Sequence, residues 1–223
     1  GNLQKKHKNL FRDIRIDEKE KLDFVFNNDS DLSKVKNIVI IDYGLGNNLS
    51  LYNALEKLNY NVIISSSLNE IRKSPLVFLP GVGSFSEGIK NLRAKKMYNY
   101  LIERAKKGDP IIGICLGMQM LFDKGFEDGI NNGLGLIPGE VNNMSQICGK
   151  ENIILPHVGW NFIKGNDMIS GKNCTDQIMQ YFVHSFNAYK VPEKYKLHTF
   201  EYCQFPWIAS VKKDNIVGFQ FHP

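Results

Sequence analysis

No run of apolar residues in this sequence is long enough to span a bilayer. The most apolar stretch, Pro110 to Met118, is nine residues long before Gln119 interrupts it, against the roughly 18 to 20 that a membrane helix needs. No apolar signal-peptide core follows Gly1, and neither an internal repeat nor a low-complexity tract is found. Neither sign of charge dominates: 28 basic against 23 acidic residues leave a net charge of +5. The one dense basic cluster, Lys5, Lys6, Lys8, Arg12 and Arg15, reads as a solvated tail, so no nucleic-acid partner and no membrane are expected. Cysteine is scarce, four in 223 residues, and a chain this rich in core residues needs no disulfide staples. A reducing compartment, the cytoplasm, follows as the expectation. No Cys or His pair has close zinc spacing, so no metal is expected. Gly44-x-Gly46 invites a dinucleotide reading, but Leu49 occupies the place of the third glycine; a nicotinamide cofactor is rejected, and no cofactor is expected.

What is present is a globular composition, 43% hydrophobic and 23% charged, which excludes disorder, collagen and coiled coil. Residues 1–36 hold sixteen charged side chains without apolar periodicity and read as an N-terminal extension. Residues 37–223 read as one domain. Ile38-Val39-Ile40-Ile41 is a buried strand ending in the turn Tyr43 to Asn48; Leu51, Leu55 and Leu58 then share a helical face, with Asn48 or Ser50 as the cap. Strands at Val62 to Ile64, Leu76 to Leu79 and Ile111 to Ile114 follow, with a helix carrying Tyr98, Leu101, Ile102 and Ala105. This alternation predicts parallel strands with helical crossovers. After about Gly133 the chain is mostly strands: Trp160 to Ile163, Tyr181 to Phe186, Ile208 to Val211 and Ile216 to Phe221, with a hairpin at Lys213-Asp214-Asn215.

The segment Gly113-Ile114-Cys115-Leu116-Gly117 has the G-x-nucleophile-x-G form of a nucleophile elbow. So tight a strand-to-helix turn leaves no room for side chains two residues either side of the nucleophile. A helix N-terminus should lower the pKa of the thiol, making Cys115 a candidate nucleophile. A cysteine nucleophile needs a base, and spacing alone does not choose among His157, His184, His198 and His222. His222 ends the run Ile216 to Pro223, a strand that would deliver an imidazole at its tip. Pro80-Gly81-Val82-Gly83-Ser84 follows a strand and can turn backbone amides toward an oxyanion.

Together, Pro80 to Ser84, Gly113 to Gln119, Pro156-His157-Val158-Gly159-Trp160-Asn161, Tyr181-Phe182-Val183-His184-Ser185-Phe186 and Gly218-Phe219-Gln220-Phe221-His222-Pro223 resemble the class I glutamine amidotransferases. More narrowly they resemble glutaminase subunits of imidazole glycerol phosphate synthases. The resemblance runs from about Ile38 to the last residue.

The resemblance implies an α/β fold: a doubly wound, mostly parallel sheet flanked by helices, flavodoxin-like, with additional antiparallel strands in the second half. It implies a Cys-His-Glu triad that hydrolyses L-glutamine to glutamate and ammonia. Cys115 would attack the side-chain amide, His222 would serve as base and then acid, and the amides of Val82 and Leu116 would hold the oxyanion. Gly81, Gly83, Gln119, Ser185 and Phe186 would line the glutamine pocket. Pro156 to Asn161 and Tyr181 would lie toward an ammonia-accepting synthase subunit, a barrel cyclase forming imidazole glycerol phosphate for histidine biosynthesis, in a heterodimer. His157 and His184 would be structural or interface residues. The family's triad glutamate lies two residues beyond the histidine and this sequence stops at Pro223, so the natural chain is expected to continue. The same motifs also suit a glutaminase feeding a sugar amidotransferase, and the missing glutamate suits a non-catalytic regulatory subunit.

Overall fold

The structure, a computed structural model, describes residues 38–149, 153–165 and 178–223. The N-terminal extension and Cys174 lie outside the described residues.

β1 (Ile38–Ile41) is fully buried, and its alternation feeds two cores at once. Ile38 and Ile40 pack with Leu51 and Leu55 of α1 (Asn48–Lys57). Val39 and Ile41 pack on the opposite side with Ile71 of α2 (Leu68–Lys73), Phe85, Ile89 and Leu92 of α3 (Phe85–Ala94), and Met97 and Leu101 of α4 (Met97–Lys106). Helices therefore cover both faces, and each fully buried isoleucine contributes about 1.5–3 kcal/mol. The cap of α1 is one residue earlier than expected: the Asn47 side chain accepts from the Ser50 amide at 3.3 Å, because the chain turns out of the strand before Asn48.

Five strands are parallel: β2 (Val62–Ser65), β1, β3 (Val77–Leu79), β4 (Ile111–Ile114) and β13 (Ile216–Phe219). The chain steps outward from β1 to β2 and returns across to β3, so the order reverses between β1 and β3. A crevice opens at such a point beyond the carboxyl ends of the strands. The sheet continues antiparallel through β12 (Phe205–Lys213), β11 (Lys196–Tyr202), β8 (His157–Gly165) and β9 (Ile178–His184), nine strands in all. The expected hairpin joins β12 to β13, with Lys213 paired to Ile216.

A second sheet, β10-β7-β5-β6, is built from β5 (Phe122–Gly125), β6 (Asn131–Asn132), β7 (Ile137–Asn143) and β10 (Phe186–Tyr189). Two expected strands are therefore corrected. Tyr181 to Phe186 is not continuous: the chain leaves the large sheet after His184 and enters the small one at Phe186, with Ser185 as the pivot. The last strand ends at Phe219 rather than running to the proline, and His222 makes only an isolated antiparallel bridge to Tyr181.

Candidate active site

β4 delivers Cys115 to the carboxyl edge, and α5 (Leu116–Gln119) begins immediately after it. Cys115 adopts φ 52° and ψ −110°, a left-handed conformation that costs a residue with a Cβ about 1–3 kcal/mol. Both flanking glycines are required by contact. A Cβ on Gly117 would lie 1.7 Å from the Leu79 carbonyl oxygen, and one on Gly113 would lie 2.7 Å from that of Gly117.

The loop after β3 faces this elbow. Its backbone is held by Tyr43, whose hydroxyl donates to the Pro80 carbonyl at 2.7 Å. A Cβ on Gly81 would come within 2.7 Å of Leu116, so only glycine lets the loop approach the nucleophile so closely. Val82 stands out, 41% exposed, and Gly83 takes φ +116°.

A cavity of about 350 Å³ is lined by Val82, Gly83, Cys115, Leu116, Gln119, Glu127, Pro156, Val183, His184, Ser185 and Phe186. Adjoining it, a cavity of about 260 Å³ is lined by Pro80, Gly81, Val82, Tyr181, Val183 and His222, among others. Val82 and Val183 line both, so the sulfur side and the imidazole side meet along one wall. Cys115 follows β4 directly and His222 lies three residues beyond β13, the neighbouring parallel strand, whose last residue Phe219 is in register with Ile114. The Nε2 of His222 is buried with no hydrogen-bond partner among the described residues.

The electrostatics differ from expectation at the thiol. Burial pushes Cys115 up to about 12, outweighing the Leu116 amide and the Gln220 side chain, which both favour the thiolate. A helix of only four residues carries too little aligned dipole to offset that desolvation. Burial also holds His222 below its ordinary value of 6.5. Burial thus favours the neutral form of both the thiol and the imidazole.

The structure thus gathers Cys115, Leu116, Val82, Gly83, Gln119, Ser185 and Phe186 around one cavity, with Gly81 and His222 in the adjoining one. His157 and His184 are buried, 4% and 7% exposed, and face each other at 3.4 Å. Two residues escaped the sequence reading. Glu127 lines the sulfur cavity, accepts from the Phe85 amide at 2.7 Å and has its carboxyl pKa raised by burial; nothing in Phe126-Glu127-Asp128-Gly129 marks it. Gln220, lying within the Gly-Phe-Gln-Phe-His-Pro segment, is fully buried with its Nε2 3.5 Å from the Cys115 sulfur.

Comparison with known proteins gives the family. The family described as glutamine amidotransferase class-I matches residues 39–223. The imidazole glycerol phosphate synthase subunit HisH of Carboxydothermus hydrogenoformans is 43% identical over 188 residues, covering 83% of this chain and 90% of that protein. The subunit of the same name from Lactococcus lactis is 41% identical, covering 85% and 91%. Among solved structures, a glutamine amidotransferase superposes with a TM-score of 0.66 at 13% identity, covering 83% of this chain and 89% of the other. PurLQS from Thermotoga maritima superposes with a TM-score of 0.60 at 18% identity, covering 84% and 87%; at such identities these two speak to the fold alone. The named relatives favour the imidazole glycerol phosphate reading of the motifs over sugar amidation or a non-catalytic role. The chain belongs to the class-I glutamine amidotransferase family and, within it, to the HisH subunits of imidazole glycerol phosphate synthase.

Proposed function

We propose that the chain hydrolyses L-glutamine to glutamate and ammonia and passes the ammonia to a cyclase subunit that forms imidazole glycerol phosphate. Residues 37–223 act as one glutaminase domain and residues 1–36 as an extension to it. The observation that carries the reading is the strained Cys115 on a cavity that shares Val82 and Val183 with the adjoining cavity lined by His222.

In this mechanism His222 takes the Cys115 proton as sulfur attacks the side-chain carbonyl carbon of glutamine. The amides of Leu116 and Val82 receive the developing oxyanion. His222 then returns its proton to the departing ammonia, and water, activated by the same imidazole, hydrolyses the glutamyl thioester. Gly81, Gly83, Gln119, Ser185 and Phe186 shape the pocket, and the Glu127 carboxylate supplies the counter-charge for the α-ammonium of the substrate.

The cyclase docks on the outer face of β8 and β9. Val158 pairs with Val183, Trp160 with Tyr181 and Phe162 with Met179 across the two strands. Val158, Trp160, Phe162, Met179 and Val183 are 38–56% exposed, forming an apolar patch of the kind that marks an interface. Val183 belongs both to this patch and to the walls of the two cavities, so ammonia released at Cys115 leaves beside the docked subunit. The test is ammonia release from glutamine by the full chain, alone and with the cyclase, for the native protein and for Cys115→Ala. Release stimulated by the cyclase and lost in Cys115→Ala is expected; undiminished release by the variant ends the assignment.

A further inference from the structure

Cys115 lies at one end of a chain of buried hydrogen bonds that runs behind the cavity wall, through Gln220 and then Gln119, Phe186 and His184 of the lining, to His157. Gln220 Nε2 lies 3.5 Å from the Cys115 sulfur. Gln220 Oε1 accepts from Gln119 Nε2 at 3.0 Å, and the same Nε2 donates to the Phe186 carbonyl at 3.0 Å. That carbonyl also meets His184 Nδ1 at 2.9 Å, and His184 Nε2 faces His157 Nδ1 at 3.4 Å. Every side chain in the chain is at least nine-tenths buried, with Gln220 at 0% and Gln119 at 5% exposure.

The donor directions follow from one group. A carbonyl only accepts, so His184 carries its proton on Nδ1 and offers Nε2 as acceptor to His157. Gln119 spends both amide hydrogens, one on Phe186 and one on Gln220. The oxygen of Gln220 must therefore face Gln119, which turns its NH2 toward the sulfur. The flipped amide would set two donors against each other inside the core, leaving both unsatisfied.

We propose that Gln220 is a positioning residue for the nucleophile: its amide, oriented by Gln119 and the Phe186–His184 corner, donates to the sulfur of Cys115 and favours the thiolate that attack generates. The proposal rests on Cys115 being the nucleophile. Gln220 is not among the residues lining the substrate cavity, so its effect belongs to the sulfur and not to glutamine binding. In a site where burial makes a bare thiolate costly, a donor to sulfur carries more weight than it would in water. The other titratable groups around the sulfur are Tyr43, which interacts electrostatically with Cys115, Glu127 and His184 on the same cavity, and His222 on the next.

The experiment is the pH dependence of iodoacetamide alkylation at Cys115 in the full chain, read by mass spectrometry of its peptide so that Cys148, Cys174 and Cys203 do not interfere. Gln220→Met keeps the volume and removes the donor. It should move the alkylation profile to higher pH by about one unit, a tenfold slower reaction at fixed pH on the rising limb. Gln119→Met should move it in the same direction by less, and the double variant should be no worse than Gln220→Met alone, because both act on one amide. In glutamine turnover, Gln220→Met should lower kcat with KM unchanged. Alkylation needs no glutamine, so a wrong substrate assignment leaves this readout intact. Superimposable profiles for Gln220→Met and the native protein, or strictly additive shifts in the double variant, overturn the proposal. Should Gln220→Met not fold, the Gln119→Met profile decides alone: a shift supports the proposal and its absence overturns it.

Discussion

The backbone amide of Cys115 donates to the carbonyl of Phe219 at 2.7 Å, which extends the β4–β13 ladder one residue past the end of β4. That bond fixes where the nucleophile leaves the sheet relative to the segment bearing His222, three residues further on. The sulfur is therefore placed by main-chain pairing across parallel strands, and the backbone of His222 by its bridge to Tyr181, whose carbonyl accepts from the His222 amide at 3.0 Å.

Gly117→Ala is expected to disrupt that arrangement more than any other single-methyl addition at the site. The added carbon meets the Leu79 carbonyl at 1.7 Å, a backbone atom in a buried strand that has nowhere to move. Overpacking in a core costs about 1–3 kcal/mol, and this contact belongs at or above the top of that range. Urea denaturation of native and variant protein measures it; a loss under 1 kcal/mol contradicts the close approach.

Much of this was legible in the sequence. The four β-branched residues of β1 and the Gly113 to Gly117 elbow carry their own structure, since a buried strand and a glycine-flanked turn have few alternatives. The pivot at Ser185 was not legible, because Tyr181 to Phe186 alternates as one strand and only tertiary packing divides it between two sheets. The raised thiol pKa was missed because the helix after Cys115 proved short and the sulfur deeply buried. Arg104 shows the same limit: a guanidinium in a helix reads as solvent-facing, yet it is 1% exposed and donates to the carbonyls of Ile71, Pro75 and Pro110.

The pH profile of kcat/KM should fall on the acid side with a midpoint below 6.5, the ordinary histidine value that burial pushes His222 beneath. Only neutral His222 accepts the thiol proton, so protonation at low pH removes the base. With the thiol at about 12, no second rise should appear between pH 7 and 9. Steady-state rates from pH 5 to 9 test both limbs; a rise above pH 8 would point to a thiolate formed before attack.

Trp160→Glu should weaken docking of the cyclase strongly while leaving the fold intact. Trp160 is 47% exposed and stacks edge-on with Tyr181 at 5.6 Å, so the free subunit loses little. A central aromatic anchor typically carries about 2–4 kcal/mol of binding, a loss of about 30- to 1,000-fold in affinity. Calorimetric titration with the cyclase, beside an unchanged thermal midpoint of the variant alone, is the check. Undiminished affinity would place the interface elsewhere.

Glu127→Gln should raise KM for glutamine by about 10- to 100-fold, the cost of losing one charged hydrogen bond of about 1.5–3 kcal/mol, with a smaller change in kcat. The variant keeps a side-chain oxygen for the Phe85 amide, so the start of α3 remains satisfied. A KM change confined to glutamine, absent for an electrophile that lacks the α-ammonium, separates charge recognition from distortion of the pocket.

His184 makes a prediction about stability in acid. Burial lowers it from 6.5 to about 3, so above pH 6.5 it is neutral in both folded and unfolded chains and contributes no pH dependence. Between those two values the unfolded chain binds a proton that the folded one refuses, and folding stability falls by about 1.4 kcal/mol for each unit of acidification. His157 and His222, both lowered by burial, act in the same direction. Denaturant titrations at pH 7, 6 and 5 should show this decline, and His184→Gln, which cannot titrate, should flatten it even if it is less stable at neutral pH. An equally steep decline in that variant would assign the acid sensitivity to other groups.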